Sequence, residues 1–574
     1  MENPETPSPQ SNQRNWSELD RAANRYIHDI VDLDPIAATD WGMGDDPSAL
    51  PDLSPEGFAA RAALDEKFLA ELPNIKLEDE VDRITADALI DRLTLAQQLH
   101  AGREDSGELN NIASPLQGVK DAFSLMATKT AGDWEAVFER MRNVPRALRQ
   151  YAHSLAYAAE GGRVASRRQV EIGIRQAAAI GTPGSSGAFF EQLGRQCPAG
   201  MARQIGEKKI DEAVAEASRS YLWLSGWLKD NLLPLAPEED AVGRERYELF
   251  SALFVGARVD LDETYEWGLA ELADIVAEQQ RIADTLYGSG TPILQAFDNL
   301  NADSRYQLHG EAELHAWLQS TGDRAIADLN GKQFDIAPEL QVLQARIAPS
   351  KEGGVWYTGP SADFSRPGQM WWSIPEGEDV FHTWQEKTTV FHEGIPGHHL
   401  QIGQAMYEAG SLNLWRRLGS WNSGHGEGWA LYAEQLMKEL GYMADPGDHM
   451  GMLDAQRLRA ARVVLDIGVH LRKQRPDGAG VWDAAYAEAF LADNCAMSQG
   501  QRAFELDRYL GWPGQAPSYK IGQRLWVNLR RDYIAARPEG EIYSDSEKKF
   551  HTLALSQGSL PMDTLRRAVL GGAA

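Results

Sequence analysis

The chain has 574 residues, of which 43% are hydrophobic and 24% charged, an ordinary globular mix that excludes disorder along its whole length. Asp and Glu total 84 against 56 Lys and Arg, a net charge of −28. Such a surface repels phosphate backbones and anionic headgroups, so neither nucleic acid nor membrane is expected as a partner.

The opening stretch, MENPETPSPQSNQRN, has neither the basic start nor the apolar core of a secretory signal. It reads as a disordered leader over residues 1–15 of a cytoplasmic protein. The first helix is predicted from Ser17, with Asp20 three positions on completing a capping box and Leu19, Ala22, Tyr26 and Ile30 on one face. Further stretches of 3.6-residue period run over about 82–100, 133–160, 206–233 and 257–287. Loops are predicted at GTPGSSG (181–187), PLAPEED (234–240) and GSGTP (288–292). No fixed repeat appears, no run of about 18 apolar residues is long enough to span a bilayer, and Cys197 and Cys495 make neither a disulfide framework nor a thiolate zinc site.

The composition changes near residue 350. GGVWYTGPSADFSRPGQMWWSIP (353–375) is rich in Trp, Gly and Pro, and reads either as an aromatic-anchored loop or as a short strand pair rimming a cleft. Helical text then resumes. The expected organisation is mainly α: the leader, a helical lobe over 16–345 and a metal-binding lobe over 346–574, with a small β element beside a central cleft.

Histidine is concentrated late in the chain, seven of 13 falling between His382 and His470. The centre is TTVFHEGIPGHHLQ (388–401). In an HExxH helix two imidazoles four residues apart reach one metal, and the Glu faces the attacking water as general base. Here the spacing is stretched. In an undistorted helix His398 would sit about 240° around from His392, and His399 about 10 Å further along. Pro396 removes a backbone donor and pushes Ile395 out of the α region, while Gly397 accepts unusual dihedrals. A two-residue bulge restores HExxH geometry for His392 and His398, with Glu393 as the base. His399 would need three extra residues and stands second as a ligand.

The third ligand is expected from GHGEGWALYAE (424–434). Glu427, among glycines at a helix start, is the choice, giving a His₂Glu zinc site with one position open. Glu434, seven residues on and on the same face, is the expected partner of a ligand imidazole. In LDAQRLRAARVVLDIGVHLRK, Arg459, Arg462, Asp466 and His470 share one stripe of an otherwise apolar helix, so they must be paired or line a cavity. Asp466 is expected to orient His470, and Arg459 or Arg462 to grip a substrate carboxylate. Tyr519, on the GWPGQAPSYKIG loop, is placed to donate to an oxyanion. Tyr357 and His425 complete the set of candidate substrate contacts.

Five segments carry a family resemblance: WYTGPSADFSRPG (356–368), HEGIPGHHLQ (392–401), EGWALYAE (427–434), RVVLDIGVH (462–470) and PGQAPSYKIG (513–522). With these the chain resembles the DUF885 family of bacterial proteins, whose members look like zinc-dependent metallopeptidases. The resemblance implies a helical fold similar to gluzincin oligopeptidases and carboxypeptidases, with a deep channel between lobes. It also implies His392, His398 and Glu427 as metal ligands, Glu393 as general base, and His470 and Tyr519 as transition-state donors. The expected activity is zinc-dependent hydrolysis of short peptides. Two rivals stand beside it: a non-hydrolytic 2-His-1-carboxylate metalloenzyme such as an Fe(II) oxygenase, and a non-catalytic helical binding protein.

Overall fold

The computed structural model describes residues 14–349, 354–538 and 541–571. Most of the predicted leader lies outside them. Its last part is anchored, since Arg14 donates to Asp82 at 2.5 Å and lies 3.0 Å from Asp79.

The first helix, Glu18–Leu33, starts as its sequence dictates. Ser17 Oγ accepts from the Asp20 amide and the Asp20 carboxylate accepts from the Ser17 amide, satisfying two donors that a bare helix end leaves orphaned. Leu19, Ala22, Tyr26 and Ile30 are buried along one side. The other periodic stretches become Glu80–Ala101, Ala131–Glu160, Glu207–Trp227 and Leu261–Tyr287. The three Gly- and Pro-rich clusters fall between helices as read. The fold is mainly α, with 23 α-helices and two small sheets among the described residues.

Apolar packing divides the molecule differently from the sequence. One core joins residues 19–93 to residues 247–569. A second core lies wholly within residues 50–236 and centres on the helix Ala131–Glu160. The expected boundary near 345 falls inside the first core, where Leu318, Ile326 and Leu343 precede it and Met370 and Trp372 follow it.

The Trp-rich segment is a strand pair. Val355–Thr358 runs antiparallel to Gly368–Trp372, with Trp356 opposite Trp371 and their rings stacked at 6.0 Å. A third strand, Leu343–Ile347, adds to the sheet in parallel. Its five residues are too short to show a period of two against the helical text before them. Among the described residues no helix is long and apolar enough to cross a membrane.

Candidate metal centre

The helix Thr383–Glu393 stops at Gly394, and a new helix, His398–Tyr407, begins four residues later. Between them the Gly397 amide donates to the Phe391 carbonyl, six residues back, at 3.1 Å. A regular helical bond spans four; the difference is the two-residue insertion that the spacing requires. Gly397 is obligatory there, because a Cβ would fall 1.9 Å from the His392 carbonyl oxygen. Trp429 holds the bend from outside, its indole N–H donating to the Pro396 carbonyl at 2.8 Å.

The bend brings the two imidazoles together at right angles, with ring centres 4.9 Å apart. Glu427 enters from the second turn of the helix Ser423–Glu439. Its Oε2 lies 3.4 Å from His392 Nε2 and 3.6 Å from His398 Nε2. One ligand atom from each of the three residues falls within 4.8 Å of the others, the group among the described residues able to hold a metal. Tetrahedral zinc ligands at 2.0–2.1 Å from the ion stand roughly 3.3 Å apart, close to the two distances from Glu427, so the donor set suits such an ion.

A second layer fixes the first. Glu434 Oε1 lies 2.8 Å from His392 Nδ1, and its Oε2 accepts from Thr388 Oγ1 at 2.7 Å and Gln456 Nε2 at 3.3 Å. Lys520, itself buried, donates to Gln456 at 2.8 Å and pairs with Glu271 at 2.8 Å. The Thr388, Gln456 and Lys520 links were invisible in the sequence, because three different helices supply them.

Electrostatics separate the carboxylates. Burial raises Glu427, but hydrogen bonds from His392 and His398 outweigh it and hold the carboxyl well below its ordinary range. Glu434 is also lowered: burial raises it, and the His392 hydrogen bond and the Arg459 charge overcome that. Glu393 moves the other way. Burial lifts its carboxyl above the usual range, and His392 and His398 offset this only in part.

Tyr519 lies on a helix that crosses the Glu427 helix unusually closely. Gly428 faces the Gly522 backbone and Gly522 faces the Gly424 carbonyl, positions where a Cβ would meet backbone atoms at 2.5 and 2.1 Å. The helices Ser423–Glu439 and Ser518–Ala535 therefore touch backbone to backbone near Glu427. Burial and the nearby Glu427 charge raise the Tyr519 phenol.

Several sequence expectations are corrected. His399 is enclosed, with Nε2 2.9 Å from the Leu340 carbonyl and Nδ1 2.8 Å from the Tyr357 hydroxyl. Both its nitrogens are committed, so it is not a ligand, and Tyr357 supports His399 instead of facing a substrate. His425 is 2% exposed, meets Gln401 at 3.1 Å and packs against Trp526, so it does not line an open cleft. Arg462 is occupied by the Tyr509 hydroxyl at 2.7 Å and Glu505 at 3.0 Å, and its guanidinium lies over the Tyr519 ring at 5.3 Å. It orients Tyr519 and is not free to grip a carboxylate. Arg459, by contrast, acts electrostatically on both Glu393 and Glu434, and its Nε has no hydrogen-bond partner among the described residues.

His470 ends the helix Pro446–His470, eleven residues past Arg459 and hence about 16 Å along the axis. Its Nε2 lies 2.9 Å from the Tyr509 carbonyl and its ring stacks on Tyr247 at 5.6 Å. Asp466 Oδ1 accepts from the Tyr247 hydroxyl at 2.7 Å and the Gly514 amide at 3.0 Å, whereas Asp466 Oδ2 and His470 Nδ1 have no hydrogen-bond partner among the described residues, so the expected bond between the two side chains is not formed.

A family model described as "Bacterial protein of unknown function (DUF885)" matches residues 35–569. No curated protein matches the chain. Among solved structures it is similar to a "putative lipoprotein from Colwellia psychrerythraea", at 21% identity and a TM-score of 0.80 over 96% of this chain and 98% of that one. A "putative lipoprotein of unknown function from Shewanella oneidensis" is similar at 18% identity and a TM-score of 0.72, over 97% of this chain and 100% of the other. At these identities the likeness speaks for the fold.

Proposed function

The chain belongs to the DUF885 family, and from that premise we propose that it is a zinc-dependent hydrolase cleaving amide bonds in short peptides. The observation that carries this reading is the convergence of His392, His398 and Glu427 with a buried Glu393 beside them. A two-imidazole, one-carboxylate set that leaves a position open is the donor set of catalytic zinc. The Glu434 carboxylate on His392 Nδ1 is the usual support for a ligand imidazole, fixing its tautomer and ring orientation.

Zinc bound there supplies a Lewis acid for the scissile carbonyl and brings the pKa of a water toward about 7. The chain's own residues do the rest. Glu393, raised by burial, has the affinity for a proton that a general base needs; it takes one from the attacking water and returns it to the leaving amine. Tyr519, set across the glycine crossing from Glu427, donates to the developing oxyanion. Arg459 holds charge beside Glu393 and is the candidate for a substrate carboxylate. The adjacent Glu393 has a task in hydrolysis and none in oxygenation, which favours the hydrolase over the 2-His-1-carboxylate rival.

Elemental analysis of untagged protein purified without added metal or chelator tests the reading, with near-stoichiometric zinc expected. Stoichiometric iron would move the protein to the oxygenase class. A peptide library should be cleaved by the zinc form, and Glu393→Gln should keep its zinc while losing turnover by about 10²–10⁴-fold.

A further inference from the structure

A cavity of about 590 Å³ opens beside Glu427 and Ser423, walled on its far side by the N-terminal helices. Its size falls within the roughly 300–1,000 Å³ of small-molecule sites, room for a side chain and adjoining backbone and not for a folded protein. Six aromatic residues line it: Tyr26, Trp41, Phe254, Trp415, Trp421 and Trp512. Phe254 and Trp512 meet edge to face at 5.4 Å. Trp421 is 51% exposed, yet its ring is pinned flat on the helix start, since a Cβ at Gly426 would fall 2.1 Å from it. The ring thus stands one residue from the candidate ligand Glu427.

The charged groups in the same wall are already consumed. Arg92 donates to the Leu253 and Ala252 carbonyls at 2.9 and 3.1 Å. Arg61 is bound to Asp65 at 3.1 Å and to the Tyr26 hydroxyl at 3.1 Å, and Asp65 also accepts from Tyr26 at 2.6 Å. Asp34 caps a helix through the Ile36 and Ala37 amides. Apart from Glu427, which is held by His392 and His398, what the cavity offers an occupant is therefore aromatic surface without free charge. A charged side chain entering it would lose water and find no free partner, whereas an apolar ring gains area and edge-to-face contacts.

We infer that this cavity is a specificity subsite, selecting a peptide whose residue beside the scissile bond carries a large aromatic side chain. The inference rests on the peptide-hydrolase reading of the adjoining centre and adds a substrate class to it. Its near wall carries Glu427, and its far wall is built by the N-terminal helices, so the subsite requires both parts of the chain.

The test uses N-acetylated tripeptide amides of Ala in which one position is Phe, Trp, Leu, Ser or Glu. Binding is followed by titration calorimetry to full-length Glu393→Gln protein, with zinc and after chelation. Phe and Trp peptides should bind about 10-fold tighter than Ser or Glu peptides, roughly 1.4 kcal/mol. Trp421→Ala should abolish that preference and Trp421→Phe should keep most of it, which separates lost contact from lost fold. Equal affinities across the panel, a preference for Glu, or a preference untouched by Trp421→Ala would overturn the subsite. Aromatic preference in a protein whose wild type cleaves no peptide would leave the subsite standing and remove the hydrolase reading. Cleavage without aromatic preference would do the reverse.

Discussion

Two buried acid–histidine stations lie along the helix Pro446–His470, and they differ in what closes them. Near Gln456 and Arg459 the helix backs the His392, His398 and Glu427 group, where three ligand atoms converge and Glu427 lines an open cavity. At the far end Asp466 and His470 are equally buried, but Tyr247 and the Gly514 amide hold Asp466 Oδ1 and the Tyr509 carbonyl meets His470 Nε2, while Asp466 Oδ2 and His470 Nδ1 have no hydrogen-bond partner among the described residues. Residue types are shared; convergence and an opening are not. A metal centre is recognised by donors that point at common space, and a structural station by donors that are each tied to a separate neighbour.

Substitutions can break this contrast, beginning with the general base, whose loss should be felt only in turnover, as stated above. Next in size, His398→Ala should reduce bound zinc from about one per chain to near zero. His470→Ala should leave zinc unchanged and lower thermal stability, and elemental analysis with differential scanning fluorimetry separates the two. Glu434→Gln should weaken zinc affinity by about 10–100-fold, measured against a competing chelator, because His392 loses its orienting carboxylate. Tyr519→Phe should lower kcat by about 10–100-fold with KM nearly unchanged, since its donation matters in the transition state.

The smallest effect concerns acid. Burial depresses His399 to about 4 and His425 and His551 to about 3. An unfolded histidine titrates near 6.5. Below that pH the unfolded chain takes up protons that these three refuse, so stability falls from about pH 6.5 down toward pH 4, by up to about 1.4 kcal/mol per pH unit for each. In chelated protein, His551→Gln should make the fall of Tm between pH 6.5 and 5 measurably shallower.

The fold was legible wherever local rules suffice. The Ser17 capping box, the long helices and the Trp-rich strand pair follow from spacing within a dozen residues. The convergence of His392, His398 and Glu427 was legible too, because a two-residue insertion can be counted. The stripe on Pro446–His470 was legible as a stripe, but four residues on one face span about 16 Å and cannot all serve one site. His399, His425 and His470 share residue type and neighbourhood with the ligands, and only tertiary packing tells them apart. The aromatic cavity left no sequence signal, since Trp41, Phe254, Trp421 and Trp512 come from four distant stretches.

The anchoring of the first helix has a consequence for the making of the protein. Asn413 donates to Asp20 at 2.9 Å, and the Leu414 amide to Asn24 at 2.7 Å. At about 5–20 residues per second, a ribosome needs roughly 20 to 80 s between synthesising these partners. The core within residues 50–236 is complete in sequence long before, free to form on the nascent chain while Glu18–Leu33, packed through Tyr26 on Phe68, still waits for its partners Asn413 and Leu414. The helices that wall the cavity are thus first made and last seated, and Tyr519 emerges later still. No nascent chain that stops short of Tyr519 carries all the residues of the cleft.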